Sequence, residues 1–256
     1  MPFRPKNTRD EGTSFFKTLL YALPGWGKTT QALHYKKKYG KGFIISGEAG
    51  LASIRSAGID YLPFTSWDGE HDPDGDVYSF RGICRIISSD DFVKAGYKWI
   101  MLDSLTELSD LAIESIKAEL EAAGQGDNGF AVWGDYANAM IGACKWVRDL
   151  PYHVVVTALA KEDKNPDGEV EYWPMIKGSA AQKQLPGIFD NVLCGVRTSE
   201  KDDDGKNKVI RYVVTDELAG YHGKVRDENR VLKPWEKTGD ITDLFDKMKA
   251  SSSTGG

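Results

Sequence analysis

Residues 22 to 30, ALPGWGKTT, place two glycines, a lysine and two threonines directly behind an apolar run. A phosphate-binding loop needs this set. Backbone N–H groups of a tight turn and of the following helix converge on phosphate oxygens, a lysine reaches the β and γ phosphates, and a hydroxyl holds magnesium. Pro24, Gly25, Trp26, Gly27, Lys28, Thr29 and Thr30 make up the candidate loop. Gly25 and Gly27 permit the turn, Lys28 is the phosphate lysine, Thr29 the magnesium ligand, and Thr30 packs or caps locally. The full pattern calls for glycine at position 22, where this chain has Ala22. Trp26 has two open readings: a bulky side chain between glycines projects outward toward a neighbouring subunit, or it packs locally.

Two carboxylates follow apolar runs. Asp103 ends the segment YKWIML, and ligands of open α/β sheets gather at the carboxyl ends of strands. There it can hold magnesium through water beside Thr29; alternatively, with Ser104, it caps the helix that begins near Leu105. Glu48, in GFIISGEAG, follows the strand after the loop's helix. A carboxylate beside the γ phosphate orients and partly deprotonates an attacking water. The alternative is a solvated turn glutamate between Gly47 and Gly50.

The elements that must position these groups are readable from hydrophobic pattern. Phe15 to Ala22 and Gly42 to Ser46 are apolar with little alternation, as strands covered on both faces are. Tyr97 to Leu102 and His153 to Leu159 have the same character, and helical periodicity covers 29–38, 105–122 and 131–150. Residues 61–80 are rich in turn formers and acids and form a connection, and 161–178 form a long loop or mobile hairpin. Further strands are expected at 191–196 and 209–214, joined by DDDGKN, with a short helix near 241–249. Strands alternating with helices over the first 160 residues predict an α/β fold, a mostly parallel sheet flanked by helices.

Composition excludes several classes. The 256 residues suffice to bury a full sheet between helices, and a net charge of −5 does not mark a general nucleic-acid binder. Three cysteines and four histidines, all scattered, give neither a disulfide framework nor a metal cluster. There is no run of 18 apolar residues, and the opening MPFRPKNTRD lacks the apolar core of a secretion signal. A cytoplasmic protein without membrane partners is expected, and SSSTGG at 251–256 is too polar to pack.

Together, ALPGWGKTT, FIISGEAG, WIMLDSLTELSD, VVVTALAKE, IKGSAAQKQLPGIFDNVL and YHGKVRDENR resemble the RecA/Rad51-like P-loop ATPase core, most closely the phage Sak4-type single-strand annealing proteins. The resemblance spans about residues 15 to 237. It implies a RecA-like core over 15–249 with antiparallel strands toward the C-terminus. ATP and magnesium are the implied cofactors, and the nucleotide lies between adjacent subunits of a filament or ring. The segment 1–14 is then a possible subunit contact. By resemblance Glu48 is the catalytic glutamate. Thr157 falls where the family senses the γ phosphate with a polar residue, though bacterial members use glutamine there, and a buried strand threonine is the other reading. Lys224 and Arg226 match basic residues that reach the phosphate held by the next subunit, and their i,i+2 spacing on a strand puts both on one face.

Single-stranded DNA is the implied partner, in a phage-infected bacterial cell, with a phage or host single-strand binding protein as a further one. Two loops would face it, near 124–128 and 161–178. The second offers Lys161, Lys164, Lys177, the aromatics Tyr172 and Trp173 for stacking, and amides at Gly178, yet its net charge is −2. Its aromatics stack on bases or pack back onto their own domain. Arg4, Lys6, Arg9, Lys145 and Arg148 are additional candidate cations. The leading expectation is an oligomeric DNA-dependent ATPase promoting annealing or strand exchange. A helicase or packaging motor, an ATP-binding scaffold with little hydrolysis, and a small-molecule kinase are the alternatives.

Overall fold

The computed structural model describes residues 15–69, 78–125, 128–201 and 204–252. The chain begins with β1 (Lys17–Ala22), the phosphate-loop segment, α1 (Gln31–Tyr39) and β2 (Gly42–Ser46). A 3-10 helix (Ala49–Ala57) leads to β3 (Asp60–Pro63), followed by α2 (Phe80–Ile87), α3 (Asp90–Lys94) and β4 (Trp99–Asp103). Two long helices, α4 (Leu105–Ala122) and α5 (Gly129–Asp149), precede β5 (His153–Lys164), β6 (Val170–Pro174) and α6 (Ser179–Ile188). The remainder is mostly strand: β7 (Asn191–Lys201), β8 (Asn207–Val214), β9 (Glu217–Leu218), β10 (Tyr221–His222), β11 (Lys224–Val225) and β12 (Trp235–Glu236). Helix α7 (Thr242–Ser252) closes the described chain.

The central sheet has the order β12-β8-β7-β1-β5-β4-β2-β3. From β7 to β3 every neighbour is parallel, while β8 and β12 add antiparallel strands at one edge. The fold is therefore α/β, parallel at its centre and antiparallel toward the C-terminus, as expected.

Alternation along each strand explains why the strands read as unbroken apolar runs. Leu19, Tyr21, Phe43, Ile45, Ile100, Leu102, Val154 and Val156 face the core under α2, α4, α5 and α6. Their neighbours Leu20, Ile44, Trp99, Met101 and Val155 face the other core, with Tyr35 of α1 and Phe245 of α7. Period-2 side chains thus meet helices on both faces, and both faces are mostly apolar.

Several elements depart from the sequence reading. The connection 61–80 includes β3 and leads into α2, an eight-residue helix capped by Ser79, whose Oγ accepts from the Gly82 N–H. Segment 161–178, by contrast, follows the hairpin alternative, since β5 runs on to Lys164 and pairs antiparallel with β6. Helix α7 extends to Ser252, beyond the expected end near 249. The expected contact segment 1–14, with Arg4, Lys6 and Arg9, lies outside the described residues, as do most of the polar tail and positions 126–127 of the first candidate DNA loop. No helix among the described residues is long and apolar enough to cross a membrane.

Candidate nucleotide site

The loop leaves β1 at Ala22 and enters α1 at Gln31, and it turns at Gly25 (φ +78°) and Gly27 (φ +109°). Side chains disfavour these backbone values, which is the local reason for both glycines. Lys28 folds back over the strand end, its Nζ 3.1 Å from the Ala22 carbonyl. Burial lowers its pKa, while Glu48 and Asp103 pull it upward. An ammonium balanced by two carboxylates is a cation ready for phosphate. Thr30 Oγ donates to the Gly27 carbonyl at 2.8 Å, the local role read from the sequence.

Asp103 is buried at the carboxyl end of β4, and both of its oxygens are held. Thr29 Oγ donates to Oδ2 at 2.7 Å, and Thr157, buried in β5, donates to Oδ1. Burial raises the Asp103 pKa, and these two hydroxyl bonds oppose the rise. Thr157 thus stands against the metal-side carboxylate. The donor set fits magnesium, a hard cation that takes oxygen ligands and keeps several waters. Thr29 and Asp103 are the residues that would hold it. Among the described residues no group of three or more His, Cys, Asp or Glu side chains offers an alternative metal site.

Ser104, named in the sequence only beside the capping alternative for Asp103, does two jobs here. Its Oγ caps α4 through the Glu107 N–H, and it donates to Glu48 Oε1 at 2.5 Å. Asp103 is thereby free of the capping role. The β2 and β4 ends are tied by the Gly47 N–H to the Asp103 carbonyl, 2.7 Å. A side chain at Gly47 would strike the Phe64 ring, so the turn that brings Glu48 beside Asp103 has room only for glycine. The sheet order thus gathers Lys28, Thr29, Glu48, Asp103 and Thr157 at the carboxyl end of the parallel sheet.

Trp26 does not project outward. Its ring is buried over Gly195, and its indole N–H is shared between the Val196 and Tyr212 carbonyls, each 3.2 Å away. The apolar ring gains more from the core beside Leu193 and Val213 than from water. Only its backbone remains available to the loop. Arg197 and Arg211 also reach this loop, and no local sequence pattern marks them.

Lys224 and Arg226 lie elsewhere. Lys224 pairs with Val192, which pairs in turn with Leu19, three residues before the end of β1. At 3.3 Å per residue and 4.8 Å per strand, this places Lys224 about 10 Å down the sheet and about 10 Å across it from the loop's root. Its Nζ donates to the Pro186 and Phe189 carbonyls at 2.7 and 3.1 Å. Arg226, 66% exposed, pairs with Asp190 at 3.0 Å. Both side chains face the last turn of α6 and the residues just after it, away from their own phosphate loop.

The hairpin residues are also accounted for. Tyr172 stacks on Tyr221 (centroids 4.5 Å apart) and Trp173 on His222 (3.7 Å), so these rings pack inward, as one of the two open readings had it. Lys161 pairs with Asp163 at 2.9 Å and Lys177 with Asp110 at 3.2 Å, while Lys164 is exposed at the hairpin end. Gly178 (φ +71°) precedes α6, and a Cβ there would press on Tyr136 and Trp133. Of the further candidate cations, Lys145 is exposed on α5 and Arg148 pairs with Asp149. The aromatics exposed near the first loop are instead Phe130 and Trp133, 96% and 47% exposed on the first turns of α5. An amphipathic pattern broken by exposed aromatics beside a glycine-rich loop was the signal for them.

Residues 14–226 match the family model AAA_24, described as an AAA domain. The chain belongs to this family. It is accordingly an ATP-binding protein of the P-loop NTPase superfamily. No curated protein matches this AAA domain chain. Among solved structures it is similar to a prototypical ATPase from the type III secretion system of pathogenic bacteria, at 13% identity and a TM-score of 0.42. That alignment covers 70% of this chain and 50% of the other, so the chain spans about half the length of that ATPase.

Proposed function

We propose that this AAA domain protein is a magnesium- and ATP-dependent ATPase that assembles on single-stranded DNA, promotes annealing or strand exchange in phage recombination, and completes each nucleotide site with the neighbouring copy. The observation that carries the shared site is the placement of Lys224 and Arg226. They match the family's phosphate-reaching cations, yet they face away from the loop of their own chain.

In this reading Lys28 and the loop amides hold the β and γ phosphates, and Thr29 and Asp103 hold magnesium, which supplies charge neutralisation when bound. Glu48, oriented by Ser104, accepts a proton from the attacking water. The water oxygen bonds to the γ phosphorus as the bond to the β–γ bridging oxygen breaks, and ADP carries that electron pair away. Arg226 from the next copy, with Lys224 behind it, offsets the charge that develops on the transferring group.

DNA is assigned to the end of the molecule where Phe130 and Trp133 are exposed, because stacking on aromatic faces needs open rings. The β5–β6 hairpin connects with the basic strand. Tyr172 N–H donates to Gly220 O, and the Trp173–His222 stack lies two residues from Lys224. That ladder supports communication between the hairpin and the cations. The test is ATP hydrolysis with and without single-stranded DNA, with particle size followed by light scattering in the same samples. Faster turnover together with growth into large particles is expected. Turnover and size that ignore DNA would remove the DNA part of the proposal, and an absence of any hydrolysis would remove the ATPase itself.

A further inference from the structure

The phosphate loop is gripped from outside by the strand pair β7–β8. Arg211 of β8 donates Nε–H to the Trp26 carbonyl at 2.6 Å. Arg197 of β7, its direct partner across the ladder, donates Nη1–H to the Gly25 carbonyl at 3.3 Å. Between them the Trp26 indole is anchored on the same two strands, over the space that Gly195 leaves. Among the described residues neither guanidinium has a carboxylate within ion-pair distance. Two cations that bond loop carbonyls instead of acids, beside a site for a polyanion, call for a role.

A planar trans peptide directs its C=O and its N–H to opposite sides. Pinning the Gly25 and Trp26 carbonyls outward therefore turns the N–H groups of Trp26 and Gly27 to the other side of the loop. Glycines at positive φ would otherwise let these peptides rotate at little cost. A charge-assisted bond to each carbonyl also polarises the peptide and strengthens its N–H as a donor.

We infer that Arg197 and Arg211 are positioning residues for nucleotide binding: they set the loop amides on the phosphate and enhance their pull without touching the nucleotide. This rests on the reading of residues 22 to 30 as the nucleotide site, and it adds a control point on β7–β8, outside the carboxyl-end cluster.

The test compares Mg-ATP with inorganic tripolyphosphate, which has the phosphates but no nucleoside. Binding of each to wild type, Arg211→Met, Arg211→Lys and Arg197→Met is measured by calorimetry, with unliganded melting followed in parallel. Arg211→Met is expected to weaken both ligands about tenfold, the scale of one charge-assisted bond. Arg211→Lys should recover most of that loss while melting like the Met variant. Loss confined to ATP would mean that the arginine touches the nucleoside, and unchanged binding would mean that the grip is idle; either overturns the inference. A Lys variant no better than Met, with both equally destabilised, would mark a plain scaffold and overturn it too. Arg197→Met should show the same pattern more weakly because its bond is longer, and it keeps the inference testable if Arg211 variants do not fold. Failure of the wild type to bind either ligand would instead sink the nucleotide reading itself.

Discussion

The two ends of the parallel sheet treat charge in opposite ways. At the carboxyl end the carboxylates Asp103 and Glu48 are held by the hydroxyls of Thr29, Thr157 and Ser104. At the other end the cations Lys224 and Lys17 are held by carbonyls, Pro186 and Phe189 for one and Leu150 and Tyr152 for the other. Hydroxyls orient an acid without neutralising it, and carbonyls do the same for an ammonium. Each end therefore keeps its charge for a partner of opposite sign. One end would hold magnesium and water beside ATP, whereas the other offers cations with no phosphate of its own to meet.

The strongest way to break this contrast is to neutralise one group at the carboxyl end. Glu48→Gln retains an acceptor for Ser104 but cannot take a proton, and turnover should fall by about 10³-fold with ATP binding preserved, measured by phosphate release and calorimetry. A fall in binding of the same size would move Glu48 from catalysis to ligand holding.

At the opposite end, Lys224→Ala/Arg226→Ala should cut turnover about 100-fold with little change in ATP affinity, because the lost cations act only on the developing charge. Mixing this variant equally with Glu48→Gln sharpens the point. In a head-to-tail assembly about a quarter of the interfaces then pair an intact loop with intact cations, and about a quarter of wild-type turnover should return. Mixtures as inactive as their components would place all the groups in one chain.

A tenfold effect separates the two sets of aromatics. Phe130→Ala/Trp133→Ala should weaken single-stranded DNA binding by about tenfold or more in fluorescence anisotropy at fixed salt, since each stacked base contributes about 1–3 kcal/mol. Tyr172→Ala should lower the melting temperature instead, because its ring is stacked on Tyr221 of its own chain.

The smallest effect is a pH response at the amino end of the sheet. His153 is buried, its Nδ1 accepts the Phe16 N–H at 3.0 Å, and burial lowers its pKa from 6.5 to about 4. On acidification the unfolded chain takes up this proton first. The contribution is complete above pH 6.5 and lost as pH falls toward about 4. His153→Asn, which keeps an acceptor in place of Nδ1, should flatten the melting temperature over that window.

What could be read from the sequence follows the same division. The carboxyl end was legible because the parallel strands begin as apolar runs, one of which ends on the single acid Asp103, and because the loop glycines mark a turn that other residues resist. Helix α4 was visible at both ends for a similar reason, a strong periodicity behind a serine cap. Helix α6 was legible only at its start after Gly178, since Pro186 lies inside it and obscures its extent. Helix α3 was not read: Ser89 caps its first turn ahead of Asp90 and Asp91, but five residues are too few to show a period. The burial of Trp26 and the grip of Arg197 and Arg211 depend on contacts about 170 to 185 residues apart in the chain. No local pattern encodes pairs so distant.

The separation of the phosphate loop from Lys224 and Arg226 has an arithmetic consequence for assemblies that share sites. An open row of copies leaves one loop at its end without a neighbour, while a closed ring leaves none. Specific activity would then climb with row length and level off, whereas a ring would switch from inactive to fully active at a single size.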